Sequence, residues 1–430
     1  IILKKDGTVR FISDFRELNK RIRRTPYPIP KIQDLLLKLE GFMYGTALDL
    51  NMGYYHIELS SESKELCTIT TQWGKYEYQR LPMGLCNSPD IFQEKMSELL
   101  TGLDTVRVYI DDILHVTKGS FDDHLQKLDT IFSRLESVGL KVNFNKSNFA
   151  TNSLDYLGYH ITRTGITPIP KKIEAIRAIK TLKTRKQLRS FLGMINFYRD
   201  MWSQRSSLLE PLSALTSVNV KFIWKEEHQK VFEAIKRVLA REVLCAYPDF
   251  NKPFEIHTDA SKTKIGAVIF QGGKPIAFYS RKMNSAQKNY TVTEKELLSI
   301  VATLKEFRNI LLGHQVIVHT DHKNLTCKNF NTERVMRWRL VIEEFGPELN
   351  YIKGEHNIVA DSLSRLDMKT DREIFNITEA AGYDDDDLPE GDFPIQYSLI
   401  EKKQKEDLHL QSKLSCLLYT SPSPRDRFLS

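Results

Sequence analysis

The chain has 430 residues, with 62 Lys and Arg against 55 Asp and Glu, which allows two or three domains with a sizeable core. No apolar run is long enough to suggest a membrane span, and Cys67, Cys86, Cys245, Cys327 and Cys416 show no CxxC spacing, which argues against a zinc module and fits a reducing compartment. Lys plus Arg against Asp plus Glu runs 21 to 21 over residues 1–170, 16 to 8 over 171–250, 18 to 13 over 251–370 and 7 to 13 over 371–430. The middle therefore carries the basic excess, which suits a grip on a polyanion; solubilising charge on exposed helices is the alternative. With no initiator Met and no signal peptide, the chain reads as a piece of something longer.

In chain order, the first informative run is TALDLNMGYYHIEL, where Asp49 sits between Leu48 and Leu50 in a strand-like stretch that turns at 51–53. A buried carboxylate is costly unless paired, hydrogen-bonded or metal-bound. The run VRVYIDDILHVTK follows, with Val106, Val108 and Ile110 alternating before Asp111 and Asp112. It predicts a tight hairpin with two carboxylates at its reversal. Alone, that pair fits a solvated acidic turn; with Asp49 it makes three carboxylates from two elements, the minimum for two hard divalent cations. The two prolines in ITPIP (166–170) predict a boundary. Beyond it Ile173, Ile176 and Ile179, then Leu188, Phe191, Leu192 and Ile195, recur at helical spacing among Lys and Arg, predicting a basic helical segment over 169–250. From 251 to 366, FEIHTDAS, GAVIFQ and KPIAFYSRKM predict strands, followed by a helix near 293–312, the strand QVIVHTD, further helices, and the pair NYIKG and NIVADSLSR. This is an α+β or α/β unit. Residues 367–415 are acidic and poor in large apolar residues, as in a loose linker. The run CLLYTSPSPRD (416–426) resembles the translation of a sequencing adapter, so 416–430 reads as a non-native tail.

Asp49 and the YIDD box resemble motifs A and C of reverse transcriptases, and RLPMGLCNSPDIFQ resembles motif B. The order of motifs over residues 1–366 is similar to the Pol polyprotein of gypsy-type LTR retrotransposons. The resemblance implies an α+β multidomain architecture: a right-hand polymerase with fingers and palm in 1–168, its N-terminus truncated, a thumb and connection in 169–250, and an RNase H-like domain in 251–366. It implies that Asp49, Asp111 and Asp112 bind two Mg2+ ions, with Mn2+ as an alternative, and that Asp49 and Asp111 are the more direct ligands. Tyr54 falls where relatives place an aromatic residue under the incoming sugar, so as to reject a 2′-hydroxyl. Lys4 and Arg10 match fingers positions that grip the triphosphate. Met83 stands where retroviral relatives have Gln and gypsy-type ones commonly Phe, which affects the nucleotide pocket. Lys146 matches a motif D lysine proposed as proton donor to pyrophosphate. YLGYHI (156–161) resembles a primer grip, with Tyr156, Gly158 and Tyr159 holding the primer end by backbone and aromatic contacts.

The same resemblance puts Asp259, Glu296, Asp321 and Asp361 at the four acidic positions of an RNase H site with two further metal ions, Glu294 being a rival for Glu296. Tyr351 replaces a His found in cellular and retroviral relatives, and His356 is in a different register. Arg337, Trp338 and Arg339 are candidates for contact with the hybrid. The implied partners are an RNA template, a DNA primer, an RNA/DNA hybrid and deoxynucleoside triphosphates, with no membrane. An oligomer within a Pol polyprotein or a cytoplasmic virus-like particle, with nuclear entry later, completes the expectation. The rival is an inactive or domesticated nucleic-acid-binding relic.

Overall fold

A computed structural model describes residues 2–3, 9–203, 205–240, 244–320 and 333–352, with 2–3, 9–10 and 259 described in backbone only. The central sheet has the order Val106–Tyr109, Asp112–Thr117, Tyr44–Asp49, Asn148–Thr151. Its two middle strands are buried on both faces, because successive side chains point oppositely. Ile113 and Leu114 are each fully buried, the first among Leu48, Phe92, Met96 and Ile131, the second among Phe42, Leu154 and Tyr156. The helices Ser88–Leu99 and Phe121–Ser137 cover the first face. The second is covered by a small sheet in the order Cys245–Ala246, Gly165–Pro168, Tyr159–Thr162, Ser153–Tyr156.

That small sheet crosses the expected boundary near residue 168. Gly165 pairs with Ala246 and Ile166 with Cys245, so the basic helices leave one strand and return to its neighbour. Gly165 suits this approach, since a Cβ there would overlap the Cys245 carbonyl oxygen. The helical spacing read from the sequence is realised in Pro170–Arg177 and Arg185–Asn196. Thr184 and Gln187 form a reciprocal capping box at the start of the second helix, and Leu188, Phe191 and Ile195 are fully buried along one of its faces. Helices Arg205–Ala214 and Glu226–Ala240 complete the segment, with Phe191 packed on Phe232 at 4.8 Å between ring centroids.

The third unit is a five-stranded sheet in the order Lys274–Lys282, Lys264–Gln271, Phe254–Ala260, Val316–Thr320, Glu348–Tyr351. The first three strands are antiparallel and the last two join in parallel. Helix Val292–Glu306 packs on the face carrying Phe254, Ile256, Val316 and Val318. The unit is docked on the helical segment: Phe278 N–H donates to the Asp200 carbonyl at 2.9 Å, and Glu210 bridges Lys264 and Lys282 at 2.9 and 2.6 Å. Among the described residues no helix is long and apolar enough to cross a membrane. The expected linker 367–415 and tail 416–430 lie outside the described residues.

Candidate active site

The expected hairpin is present, and its register assembles the acidic cluster. Tyr109 pairs with Asp112 across a two-residue turn, and Asp112 in turn pairs with Asp49 on the neighbouring strand. Asp49 therefore lies opposite Asp112, while Asp111 is displayed, exposed, on the turn. Ile110 holds φ of 55°, a left-handed conformation that a β-branched residue adopts only when its surroundings enforce it. Those surroundings are visible. The Ile110 N–H donates to Gln93 Oε1 at 2.7 Å, Gln93 Nε2 donates to the Val108 carbonyl at 3.4 Å, and the Leu50 N–H reaches the Asp111 carbonyl at 3.3 Å. Gln93 is 2% exposed on helix Ser88–Leu99.

The electrostatics fit a cation site. Burial, followed by the charges of Asp111 and Asp49, pushes the Asp112 carboxyl up to about 6. Three clustered carboxylates offer oxygen donors alone, which suits hard divalent cations. Lys146 Nζ stands 3.8 Å from Asp49 Oδ1, so the expected motif D lysine does reach the cluster. Tyr54 lies in the short helix Gly53–His56 with its ring 5.2 Å from Phe92. Its phenol is pushed up to about 12 by burial, then by the charges of Asp111 and Tyr109.

Met83 is half-buried in the loop preceding helix Ser88–Leu99, next to Gly84 at φ 104°. Asn19 braces this loop, donating to the Gly84 carbonyl at 2.8 Å and accepting from Cys86 N–H at 2.9 Å. Asp90, 2% exposed, takes the Tyr27 N–H at 3.0 Å and the Arg24 guanidinium at 3.2 Å, tying the following segment to the same helix. Gln93, Asp90 and Asn19 were not singled out from sequence. A Gln and an Asp on the side of an amphipathic helix that also carries Phe92 and Met96 were the available signal. Arg10 lies in strand Val9–Arg10, and Lys4 is outside the described residues.

The YLGYHI run forms a second two-residue hairpin, with Leu157 at φ 46° and Gly158 at φ 90°, the pattern of a type I′ turn. One expectation needs correction here. Tyr156 and Tyr159 are 4% and 3% exposed, with hydroxyls donating to the Asp112 and Phe197 carbonyls, so aromatic contact with a primer is not available to them. They shape the hairpin and tie it to the acidic strand. Tyr198 fixes the tip by donating to the Gly158 carbonyl at 3.0 Å.

In the third unit, Asp259 lies near the end of strand Phe254–Ala260, and buried Glu296 reaches that end by accepting the Ala260 N–H at 3.2 Å. Glu294 is occupied otherwise: it completes the Thr291 capping box and pairs with Arg334 at 3.2 Å. Of the two, Glu296 is the one that reaches the strand end carrying Asp259. Asp321, Asp361 and His356 lie outside the described residues. Tyr351 is in the last strand. On helix Glu333–Phe345, Trp338 packs toward the core, 5.9 Å from Tyr290; Arg337 is exposed near Glu333, and Arg339 is half-buried.

Residues 2–161 match the family described as reverse transcriptase (RNA-dependent DNA polymerase), and residues 249–345 match the RNase H-like domain found in reverse transcriptase. The chain is 36% identical over 363 residues to the retrovirus-related Pol polyprotein from transposon 297 of Drosophila melanogaster, covering 83% of this chain and 34% of the relative. It is 37% identical over 379 residues to the corresponding polyprotein from transposon opus, covering 83% and 38%. Its fold is similar to that of a foamy viral protease-reverse transcriptase in complex with double-stranded DNA, at TM-score 0.74 and 26% identity, over 82% of this chain and 64% of that one. The chain spans about a third of the curated relatives it matches. With the motif order, the acidic hairpin and both domain matches in agreement, the chain belongs to the reverse transcriptase and RNase H family of LTR-retrotransposon Pol polyproteins, a family that uses divalent metals.

Proposed function

We propose that this chain is an RNA- and DNA-directed DNA polymerase with an RNase H activity that removes the RNA strand of the hybrid it makes. The observation that carries this reading is the register that sets Asp49 against Asp112, with Asp111 displayed on the adjoining turn. These three carboxylates would hold two Mg2+ ions. When bound, the ions supply positive charge to the attacking and leaving oxygens of an in-line phosphoryl transfer. The chain's own groups do the rest. Asp112, raised to about 6, would be held in its ionised form by a bound cation that offsets its burial and the charges of Asp111 and Asp49. Tyr54, half-buried against Phe92, would floor the deoxynucleotide pocket, which Met83 would also border. Lys146 is close enough to the cluster to pass a proton to departing pyrophosphate. Lys4 and Arg10 would neutralise the triphosphate, and the Leu157-Gly158 backbone would hold the primer end.

In the second unit, Asp259, Glu296, Asp321 and Asp361 would hold the nuclease metals, with exposed Arg337 and neighbouring Arg339 near the hybrid. In this reading residues 1–168 are the polymerase fingers and palm, 169–250 the basic connection, joined back to the palm side through Cys245–Ala246, and 251–366 the nuclease, and the expected setting is a cytoplasmic virus-like particle. The test is primer extension on an RNA template with Mg2+, and cleavage of labelled RNA in a hybrid. Asp111→Asn is expected to abolish extension and spare cleavage, while Asp259→Asn does the reverse. Extension that survives Asp111→Asn, or cleavage that survives Asp259→Asn, refutes the corresponding assignment.

A further inference from the structure

We infer that Glu255, His257 and His319 form a transition-metal site on the nuclease sheet, one strand step along the same face from Asp259 and built on a different donor set. Glu255 and His257 are two residues apart on strand Phe254–Ala260, so they share a face. The neighbouring strand Val316–Thr320 runs parallel, in a register that sets His319 beside His257. The alternate residues Phe254, Ile256, Val316 and Val318 fill the core on the other face. The two imidazoles stack with centroids 4.5 Å apart and planes 21° from parallel, so their edges can turn toward one point. One ligand atom from each of the three residues lies within 4.8 Å of the other two, the only such grouping among the described residues.

The chemistry of the donors selects the ion. Two imidazole nitrogens and one carboxylate oxygen form a set that Zn2+, Co2+ and Ni2+ favour and that Mg2+, which prefers oxygen, does not. Neither ring nitrogen of His319 makes a hydrogen bond, although that side chain is only 16% exposed. A half-buried imidazole with two idle nitrogens lacks the partners such a group normally finds. Its Nε2 stands 3.6 Å from Glu255 Oε2, too long for a hydrogen bond. It is close to the separation of roughly 3.4 Å expected for two ligands, each about 2.1 Å from one tetrahedral ion. Glu255, at 40% exposure, keeps the site open to solvent, leaving the fourth position to water. An ion there would cross-link the two parallel strands at the middle of the sheet.

The probes are Zn2+ and Co2+ added to the whole chain after chelation, followed by calorimetry and visible absorption. The expected result is one high-affinity equivalent of Zn2+ and a Co2+ spectrum of tetrahedral intensity. Both should survive Asp259→Asn, which removes a carboxylate at the same strand's end. His257→Gln with His319→Gln is expected to weaken Zn2+ binding more than about tenfold, since even loss of a ligand's outer partner typically costs roughly 10–100-fold. His319→Cys retains a ligand and guards against misfolding of the double variant. Loaded with Co2+, it is expected to gain a thiolate-to-metal charge-transfer band in the near ultraviolet. Absence of that band, absence of tight Zn2+ binding by the wild-type chain, or unchanged binding in the double variant each overturns the site.

Discussion

Asp112→Asn should make the metal-free protein more stable while removing the proposed polymerase activity. In the folded chain the Asp112 carboxyl is raised from 3.8 to about 6, first by burial and then by Asp111 and Asp49. The raised value means that the folded state binds a proton that the unfolded chain has released between pH 3.8 and about 6. The stabilising contribution of protonated Asp112 is thus complete below 3.8 and is lost as pH rises through 6. At about 1.4 kcal/mol per pH unit the full penalty at neutral pH approaches about 3 kcal/mol. Asp112 keeps part of its surface in water, and screening reduces this to about 1–2 kcal/mol. Asparagine carries no charge, and the Tyr156 hydroxyl still finds the residue 112 backbone carbonyl. The assay is native-state hydrogen exchange of the amides in strand Asp112–Thr117 with all metal chelated, since it reads this sheet apart from the other units. The variant should open less readily by about 1–2 kcal/mol at pH 7.5 and show no advantage at pH 4. A variant less stable than wild type at pH 7.5, or an advantage that does not change with pH, would refute the reasoning.

Gln93→Leu removes both the acceptor for the Ile110 N–H and the donor to the Val108 carbonyl. Stranding those groups should loosen the hairpin by about 1–3 kcal/mol and lower kcat of extension with little change in KM for primer-template, measured by steady-state extension. His124 is fully buried, bonded to Thr46 and Thr117 at 2.8 Å each, and burial followed by the neighbouring His115 lowers it to about 4. Its contribution is complete above 6.5 and is lost as pH falls toward 4, up to about 3 kcal/mol. Acid denaturation curves of wild type and His124→Gln should therefore differ in slope only across that window. Lys180 and Lys183 are exposed on the basic segment, whereas Arg185 and Arg189 bind the Leu215, Val220 and Thr216 carbonyls. Lys180→Glu with Lys183→Glu should lower affinity for a hybrid duplex and flatten its dependence on salt, read by fluorescence anisotropy at several ionic strengths.

The elements carrying chemistry were legible because their constraints are local. Val106, Val108 and Ile110 alternate up to an acidic reversal, and the hairpin follows at that place. Leu188, Phe191 and Ile195 repeat at helical spacing, and that face is buried. Long-range pairing was not legible. Nothing local in ITPIP indicates that Gly165 and Ile166 will pair with residues 80 positions later, so the prolines suggested a separation that the sheet bridges. Similarly, aromatic residues flanking a turn read as contact surface, whereas Tyr156 and Tyr159, paired across the hairpin, share the covered face of their sheet with Leu154 and Ile161 while Asp155 and His160 take the other. The role of Gln93 depends on a contact with a hairpin 17 residues away, which no pattern within its own helix encodes.

The return of the basic helices to the strand beside their departure makes them a closed excursion with both ends pinned side by side. Adjacent strands lie about 4.8 Å apart, so both ends of the excursion emerge at nearly one point on a fixed platform. Exposed positions between the Gly165–Pro168 and Cys245–Ala246 strands, such as Lys180 and Lys183, can change charge without moving those ends, while Tyr198 and Glu210 keep the excursion tied to the turn at Gly158 and to the third unit. The outer charge of the segment can thus diversify while its inner face stays bound to the acidic framework.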